Sequence, residues 1–310
     1  MTMDIIQSQS REIRYQPSLG DMAEDFLASL DVAKSSKGTY TRSLRQFIGW
    51  LDDTGRQSLQ LEREDILAYK AYLQEELSAY TVNQYLTVVR KLYQWMESQK
   101  IYPDITRGIK GVRKPRGFRK DILSPEQLRE TVDAIDTDSL VGLRDYAIFN
   151  LMARTGLRDI EVSRALVEDI RMEKGAYVLY VQGKGRDSKD ELVVLETKTL
   201  QPIKEYLKAR GSTDKKEPLF ISHSDRNSGD SLTTRSISRI VKKAFRSIGL
   251  DDDRITAHSL RHSAISLCIE GGASLHQAQA MARHKSMNTT LNYFHYLQRI
   301  EEAAERYIDF

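Results

Sequence analysis

The chain has 310 residues, of which 40% are hydrophobic and 29% charged, and its formal net charge at pH 7 is +3. At roughly 150 residues per domain this length predicts two domains, and the composition excludes a disordered chain. No apolar run of about 18 residues is present, which excludes a transmembrane helix and a membrane partner. The only cysteine, Cys268, excludes an internal disulfide, and we expect a cytosolic protein.

Residues 1–17 are interpreted as an N-terminal extension and residues 18–106 as an all-helical domain. Apolar side chains recur in this domain at helical spacing in four stripes. The stripes cover residues 22–30, 40–51, 66–73 and 82–96. Glycine or polar residues near 35–38, 54–58 and 78–80 are predicted to separate them. Four helices with short loops predict a small bundle.

Residues 107–121 form a basic segment that we interpret as an interdomain linker. Between positions 107 and 120 it carries seven cations and no acid. These are Arg107, Lys110, Arg113, Lys114, Arg116, Arg119 and Lys120. A solvated linker would explain the segment without any ligand. However, like charges repel unless something negative lies alongside, and a nucleic-acid backbone would supply that charge.

Residues 122–310 are predicted to form a second domain that combines helices with a small sheet. Its first helix begins after Ser124, because Pro125 suits the first helical position and Gln127 completes a capping box. Further helices are predicted at residues 140–154, 200–209 and from 233 onward, with β-type runs at 177–181 and 191–195. The whole chain is therefore predicted to be mainly α with a small antiparallel β-sheet.

Five short segments of the second domain carry side chains suited to chemistry. They are Thr155-Gly-Leu-Arg-Asp-Ile-Glu161, Gly183-Lys-Gly185, His258-Ser-Leu-Arg-His262, Ala282-Arg-His-Lys-Ser286 and Tyr293. Taken singly, each has a structural explanation: a surface salt bridge for Arg158, a solvated turn for Lys184 and a core position for Tyr293. His258 and His262 have the spacing of zinc ligands, but the glutamate of a zinc protease is missing between them.

The order and spacing of these segments resemble the tyrosine recombinase, or phage-integrase, family. The family signature is Arg, Lys, His-x-x-Arg, His or Trp, and then Tyr. The matching residues are Arg158, Lys184, His258, Arg261, His284 and Tyr293, with Glu161 at the position of the family's accessory acid. The helical first domain is similar to the family's core-binding domain, so the resemblance covers essentially the whole chain. It implies a four-helix core-binding domain followed by a mixed α+β catalytic domain.

This resemblance implies a site-specific recombinase that cleaves and rejoins double-stranded DNA through a 3′-phosphotyrosyl link to Tyr293. The physical chemistry agrees, because a phenol with a pKa of about 10 has to attack a phosphate that is already negative. Two arginines, Arg158 and Arg261, would hold the non-bridging oxygens and stabilise the charge that develops. The bond energy is stored in the covalent link, so no ATP, metal or other cofactor is implied.

The remaining roles are also implied by the resemblance. His258 would assist proton transfer at the tyrosine, and His284 would donate a hydrogen bond to the phosphate. Lys184 would protonate the departing 5′-oxygen. Glu161 would hold a catalytic cation in place rather than take part in the chemistry.

Two features depart from the common pattern of the family. Arg283 stands where most relatives have a small residue, usually glycine, and we expect it to contact DNA or to be exposed. The hairpin after Lys184 is longer and more acidic than usual, which makes Lys189 a weaker rival for the general acid. Both features favour the integrase or excision enzyme of a mobile genetic element. The alternatives are a Xer-type chromosome or plasmid dimer resolvase, a type IB topoisomerase-like enzyme and a non-catalytic DNA-binding protein.

Further DNA contacts are predicted on three helices, with a solvated helix face as the alternative for each. The residues are Tyr40, Arg42 and Arg45, then Thr81, Asn83, Gln84 and Arg90, and in the second domain Arg235, Arg239, Lys242 and Lys243. The apolar residues 297, 300, 304, 307 and 308 predict an amphipathic tail helix. The resemblance implies that this tail docks on a neighbouring subunit in a tetramer on DNA, whereas packing on its own domain is the alternative. An accessory excisionase would be a further partner.

Overall fold

The computed structural model describes residues 18–57, 60–115, 121–183, 185–212 and 214–309. The chain divides into two compact units after residue 116, a position inside the predicted linker. In the described part of the chain, no helix is long and apolar enough to cross a membrane. Each unit has its own hydrophobic core.

Four helices form the described part of the first unit, as predicted. They are α1 (Leu19–Ser29), α2 (Lys34–Asp53), α3 (Arg63–Glu76) and α4 (Ala79–Ser98). The predicted break at residues 35–38 is wrong, because these residues form the start of α2. The first backbone N–H groups of a helix have no intrahelical partner in any case, so serine and glycine are tolerated there. The chain turns instead at residues 30–33.

Aromatic side chains fill the centre of this bundle. The rings of Phe47 and Tyr69 meet edge to face, with their centroids 4.8 Å apart, and both side chains are fully buried. After α4 the chain returns to the bundle, where Ile109 is buried in the same core. Asn83 exchanges two hydrogen bonds of 2.8 Å with the backbone of Val112. The start of the predicted linker is therefore attached to the helical unit.

The second unit contains eight further helices and three strands among its described residues. The helices are α5 (Pro125–Asp133), α6 (Leu140–Thr155), α7 (Asp159–Ser163), α8 (Thr197–Arg210), α9 (Thr234–Ser247), α10 (Ala257–Glu270), α11 (Leu275–Ala282) and α12 (Met287–Glu301), and the strands are β1 (Ile170–Glu173), β2 (Ala176–Val181) and β3 (Glu191–Val194). The three strands form an antiparallel sheet in the order β1-β2-β3. The fold class is the predicted one, and Ser124 caps α5 as expected.

Helix α6 lies at the centre of the second unit. Its Phe149 meets Phe245 of α9 edge to face at 5.4 Å between ring centroids, and α8 and α10 also pack against it. The helix ends at Gly156, whose φ of +60° is the left-handed conformation that glycine adopts without Cβ strain. This turn leads directly into α7 and places the segment 156–161 beside α10.

The predicted amphipathic tail helix is wrong beyond Glu301. Helix α12 ends there, and a separate 3-10 turn covers Ala304–Tyr307. Three glutamates at positions 301, 302 and 305 lie at this point, and negative charge at a helix C-terminus opposes the helix dipole. Tyr307 and Ile308 are 88% and 64% exposed.

Two glycines allow a matched test of this packing. A Cβ on Gly142, in the first turn of α6, would lie 1.9 Å from the carbonyl oxygen of Asp136, whereas a Cβ on Gly49, inside α2, meets nothing within 4 Å. We expect Gly142→Ala to lower the free energy of unfolding by about 1–3 kcal/mol. Gly49→Ala should raise it by about 0.5–1 kcal/mol through helix propensity. Thermal melting of both variants checks this, and a Gly142→Ala protein as stable as the wild type would contradict the described turn.

Candidate active site

Arg158 is held at the start of α7 by a buried glutamate. As the N-cap residue, Arg158 donates its backbone N–H to Glu161 Oε2 at 2.8 Å, and its Nη1 lies 2.7 Å from Glu161 Oε1. Glu161 is fully buried, whereas the Arg158 side chain is 30% exposed. The buried carboxylate therefore holds the Arg158 guanidinium from the protein interior, and part of the guanidinium remains exposed to solvent.

Arg261 approaches the same turn from α10. Its Nη1 donates to the carbonyl oxygen of Gly156 at 2.6 Å, and its Nη2 donates to that of Ala282. Burial, followed by the positive charges of Arg158 and Arg283, lowers the pKa of Arg261 to about 10. The guanidinium thus stays charged at neutral pH. Two of the predicted phosphate-binding arginines are therefore brought to one turn.

His284 follows α11 and is fixed on both sides. Its Nδ1 lies 2.9 Å from Thr290 Oγ1, and its carbonyl oxygen accepts from Gln279 Nε2 at 3.0 Å. Burial, and next the charges of Arg261 and Arg158, lower the pKa of His284 to about 4. The ring is therefore neutral at physiological pH, and it can donate one hydrogen bond to a phosphate oxygen without adding charge.

Tyr293 lies on α12 and contacts a histidine that sequence reasoning did not assign to the site. Its hydroxyl oxygen is 2.6 Å from His262 Nδ1, and the side chain is only 4% exposed. Burial raises the pKa of Tyr293 to about 12, although Arg261 and Arg158 oppose this shift. The phenol is therefore protonated at neutral pH and needs a base before it can act as a nucleophile.

His262 is the side chain placed to accept that proton, because its Nδ1 lies within hydrogen-bond distance of the hydroxyl. Burial, and next the neighbouring charge of His258, lower the pKa of His262 to about 4, so the ring is neutral and able to accept a proton. The exposed His258 ring lies 4.6 Å from it, one helical turn earlier on α10. The i, i+4 spacing of the two histidines is the signal in the sequence that could have placed both in the site.

The predicted general acid, Lys184, lies outside the described residues. Its weaker rival, Lys189, forms an ion pair of 2.5 Å with the buried carboxylate of Asp169 and is 25% exposed. Earlier in the same hairpin, Arg186 pairs with Asp190 and Glu191. Lys189 is therefore already bound to a carboxylate, which favours Lys184 as the general acid.

The expectation that Arg283 contacts DNA or is exposed is wrong. Its side chain is 2% exposed, and its Nη2 lies 2.9 Å from Glu161 Oε2. Arg283 takes the left-handed conformation, with a φ of +53°, at the end of α11. This turn directs the side chain inward, towards a carboxylate 122 residues earlier in the chain.

The predicted DNA contacts of the first unit fall into two groups. Arg42, Arg45 and Gln84 are exposed on α2 and α4. The other four residues already have partners within the unit. The Tyr40 ring lies under Lys91, Thr81 is bonded to Ser78, Asn83 holds Val112, and Arg90 donates to the carbonyl oxygen of Ile109. A role in DNA binding stays a prediction for all seven.

The predicted linker is described as far as residue 115. Arg107 pairs with Glu97 at 2.8 Å but remains 75% exposed. Lys110 and Arg113 are exposed, and so is Lys114, whose Nζ lies 5.3 Å from the centroid of the Tyr80 ring. The other three predicted contacts, Arg116, Arg119 and Lys120, lie outside the described residues.

Of the four predicted contacts on α9, Arg235, Arg239 and Lys243 are exposed. Lys242 is different, because its Nζ lies 3.1 Å from Asp251 Oδ1 and donates to the carbonyl oxygen of Asp252 at 2.7 Å. A DNA contact of Arg235, Arg239 and Lys243 stays a prediction, whereas Lys242 stabilises the loop after α9.

Comparison with known proteins places this chain in a family. Residues 121–299 match the phage integrase family, and residues 23–100 match the N-terminal SAM-like domain of phage integrases. The tyrosine recombinase XerD of Listeria monocytogenes is 27% identical over 290 residues, which are 89% of this chain and 94% of the relative. The tyrosine recombinase XerC of Pelobacter propionicus is 30% identical over 276 residues, which are 86% of this chain and 87% of that relative.

The fold agrees with these sequence matches. The crystal structure of the XerH site-specific recombinase bound to a palindromic difH substrate, a post-cleavage complex, superposes with a TM-score of 0.76 at 23% identity, covering 93% of this chain and 84% of that one. The chain therefore belongs to the phage integrase family. It is a tyrosine recombinase, an enzyme that cleaves and rejoins DNA at specific sites, as the motifs predicted.

A sulfur-substituted DNA distinguishes the two candidate lysines. We expect Lys184→Ala to lose cleavage of ordinary DNA, whereas Lys189→Ala keeps it. Replacing the 5′-bridging oxygen at the cleavage site by sulfur should restore cleavage by Lys184→Ala, because a thiolate leaves without protonation. Covalent-adduct formation on denaturing gels measures both substrates. Rescue of Lys189→Ala instead would make Lys189 the general acid.

Proposed function

We propose that the residues gathered at the Gly156 turn cleave DNA by direct attack of a tyrosine on a phosphodiester. The observation that supports this most is that Arg158 and Arg261 lie close enough to Tyr293 for their charges to oppose the rise of its pKa. The two guanidinium groups would bind the non-bridging oxygens, and their attraction strengthens as charge builds in the transition state. His284 would donate a third hydrogen bond to the same phosphate.

The proposed proton transfers start from a protonated Tyr293 and a neutral His262. The Tyr293 oxygen attacks phosphorus as its proton passes to His262, and His258 connects that ring with solvent. The bond from phosphorus to the 5′-oxygen breaks, and Lys184 supplies the proton to the departing oxygen. The product is a 3′-phosphotyrosyl link and a free 5′-hydroxyl. Rejoining is the reverse of these steps and consumes no ATP.

Among biological roles, we favour the integrase or excision enzyme of a mobile genetic element. The chain is about equally distant from XerD at 27% identity and from XerC at 30%, so neither relative is favoured. The long acidic hairpin of residues 186–191 supports the role of a mobile-element integrase. Arg283 no longer supports that role, because its ion pair with Glu161 explains why an arginine stands at this position. A Xer-type dimer resolvase is the second candidate, supported by the 94% coverage of XerD. An excisionase would be a partner only in the first role.

The nucleophile is tested by removing one oxygen. Tyr293→Phe should fold and bind DNA normally but form no covalent adduct with a nicked suicide substrate. Tyr296→Phe is the matched control, because Tyr296 lies on the same helix, is 44% exposed and should be dispensable. An adduct that persists in Tyr293→Phe and disappears in Tyr296→Phe would move the nucleophile to Tyr296.

We also propose that the enzyme acts as a tetramer on a double-stranded recombination site, with the tail docked on a neighbouring subunit. Ile300, Tyr307 and Ile308 are between 50% and 88% exposed. Apolar side chains that their own domain leaves uncovered are typical of a surface that another subunit covers. Leu297, in contrast, is buried against its own domain.

Deleting residues 303–310 tests this docking. The deletion leaves every residue of α12 in place and removes only exposed contacts at its end, those of Glu305 with Arg299 and of Arg306 with two backbone carbonyl oxygens. The truncated protein should melt at the wild-type temperature, bind a single half-site and keep some cleavage. It should fail to join two sites in a higher-order complex, and strand exchange should be lost with it. Thermal melting and gel-shift assembly measure both properties. A lower melting temperature of the free protein would show that the tail packs on its own domain.

A further inference from the structure

The buried carboxylate of Glu161 is shared between two arginines. Oε1 lies 2.7 Å from Arg158 Nη1, and Oε2 lies 2.9 Å from Arg283 Nη2. Oε2 also accepts the backbone N–H of Arg158 at 2.8 Å. Glu161 itself is fully buried, and the Arg283 side chain is 2% exposed. Solvent therefore screens this three-residue cluster only on the side of Arg158.

Arg283 is a costly residue at this position. Its φ of +53° is a conformation in which a Cβ is sterically unfavourable, so the backbone alone would favour glycine. Its guanidinium is removed from water. Its Nη1 donates to the carbonyl oxygen of Met281 at 2.5 Å and its Nη2 also reaches that of Gly156 at 3.3 Å, but within the described residues its Nε has no hydrogen-bond acceptor. Its closest charged partner is Glu161.

Arg283 helps to keep Glu161 negatively charged. Burial would raise the pKa of Glu161, but Arg283 first, and then Arg158, hold it below its ordinary value. Without Arg283, Arg158 would be the one arginine among the described residues in direct ion pairing with the carboxylate, and Arg158 is the guanidinium that has to hold the phosphate. With Arg283, three positive charges and one negative charge surround the Gly156 turn, and the site keeps an excess of two positive charges for an anion.

We propose that Arg283 is a positioning residue of this recombinase. It balances the charge of Glu161, so that the carboxylate orients Arg158 without cancelling its attraction for the scissile phosphate. This inference rests on the proposed roles of Arg158 and Tyr293. Arg283 acts through Glu161 and does not touch DNA.

The test compares three replacements of Arg283. Glycine and asparagine tolerate the left-handed backbone but carry no charge, whereas lysine keeps the charge. Single-turnover cleavage of a suicide substrate at pH 7 should slow on the order of 10- to 100-fold in Arg283→Gly and Arg283→Asn, because Glu161 then offsets the charge with which Arg158 stabilises the transition state. Arg283→Lys should recover part of this loss. Wild-type rates in Arg283→Gly would overturn the inference.

The dependence of cleavage on pH separates this role from a merely structural one. Loss of Arg283 raises the pKa of Glu161, so the carboxyl becomes protonated at a higher pH than in the wild type and releases Arg158. The acidic limb of the rate profile should therefore move to higher pH in Arg283→Gly and return towards its original position in Arg283→Lys. Because Arg283 also lowers the pKa of His284, the profile is measured in Glu161→Gln as well, where loss of Arg283 should leave the limb unmoved if the shift comes from Glu161. An unmoved limb would contradict an action through Glu161.

A double variant completes the test. In Glu161→Gln the charge that Arg283 balances is gone, so adding Arg283→Gly should cost much less than it does in the wild type. Equal losses in both backgrounds would mean that Arg283 contacts the phosphate directly. If Arg283→Gly alone does not fold, Glu161→Gln with Arg283→Gly, which removes both charges of the buried Glu161–Arg283 pair, is compared with Glu161→Gln. Adduct formation by Tyr293→Phe would contradict the proposed function. The pH profile would still test separately whether Arg283 balances the charge of Glu161.

Discussion

The carbonyl oxygen of Gly156 is the point on which the geometry of this site depends. Arg261 donates to it from α10 at 2.6 Å, and Arg283 reaches it from the end of α11 at 3.3 Å. The oxygen is available because α6 ends in a left-handed turn that glycine adopts without strain. Two residues later the same turn places Arg158 at the N-cap of α7. One backbone turn thus sets the positions of all three guanidinium groups.

The excess positive charge of the three arginines favours the binding of an anion. Excess positive charge in a partly buried site is unfavourable in the free protein, and a bound phosphate relieves it. His262 and His284 add no further charge at neutral pH, because their pKa values are near 4. Tyr293, with a pKa near 12, is a poor nucleophile until a base accepts its proton. In the proposed reaction, the phosphate therefore supplies both the negative charge that balances the arginines and the phosphorus atom that Tyr293 attacks.

The elements that could be predicted from the sequence are those that bury one face. The four helices of the first unit and strands β2 and β3 were found because their apolar residues recur with a regular period. Strand β1 was missed because three of its four residues are exposed and leave no such pattern. The motif residues were found from their order along the chain. The pairing of Arg283 with Glu161 could not be found in this way, since it joins residues 122 positions apart.

Counting cations in a sequence does not show which of them are available to DNA. Lys242 is 18% exposed and bound to Asp251 and to two backbone carbonyls, so a phosphate would have to compete with a loop that depends on it. Arg107 is also paired, but it is 75% exposed, and an exposed ion pair contributes only about 0–1 kcal/mol. Its partner Glu97 can be exchanged for a phosphate at little cost. An ion pair therefore argues against a DNA contact only where burial makes the pair costly to break. On this ground Arg107 is the better candidate for a DNA contact than Lys242, although both belong to basic segments.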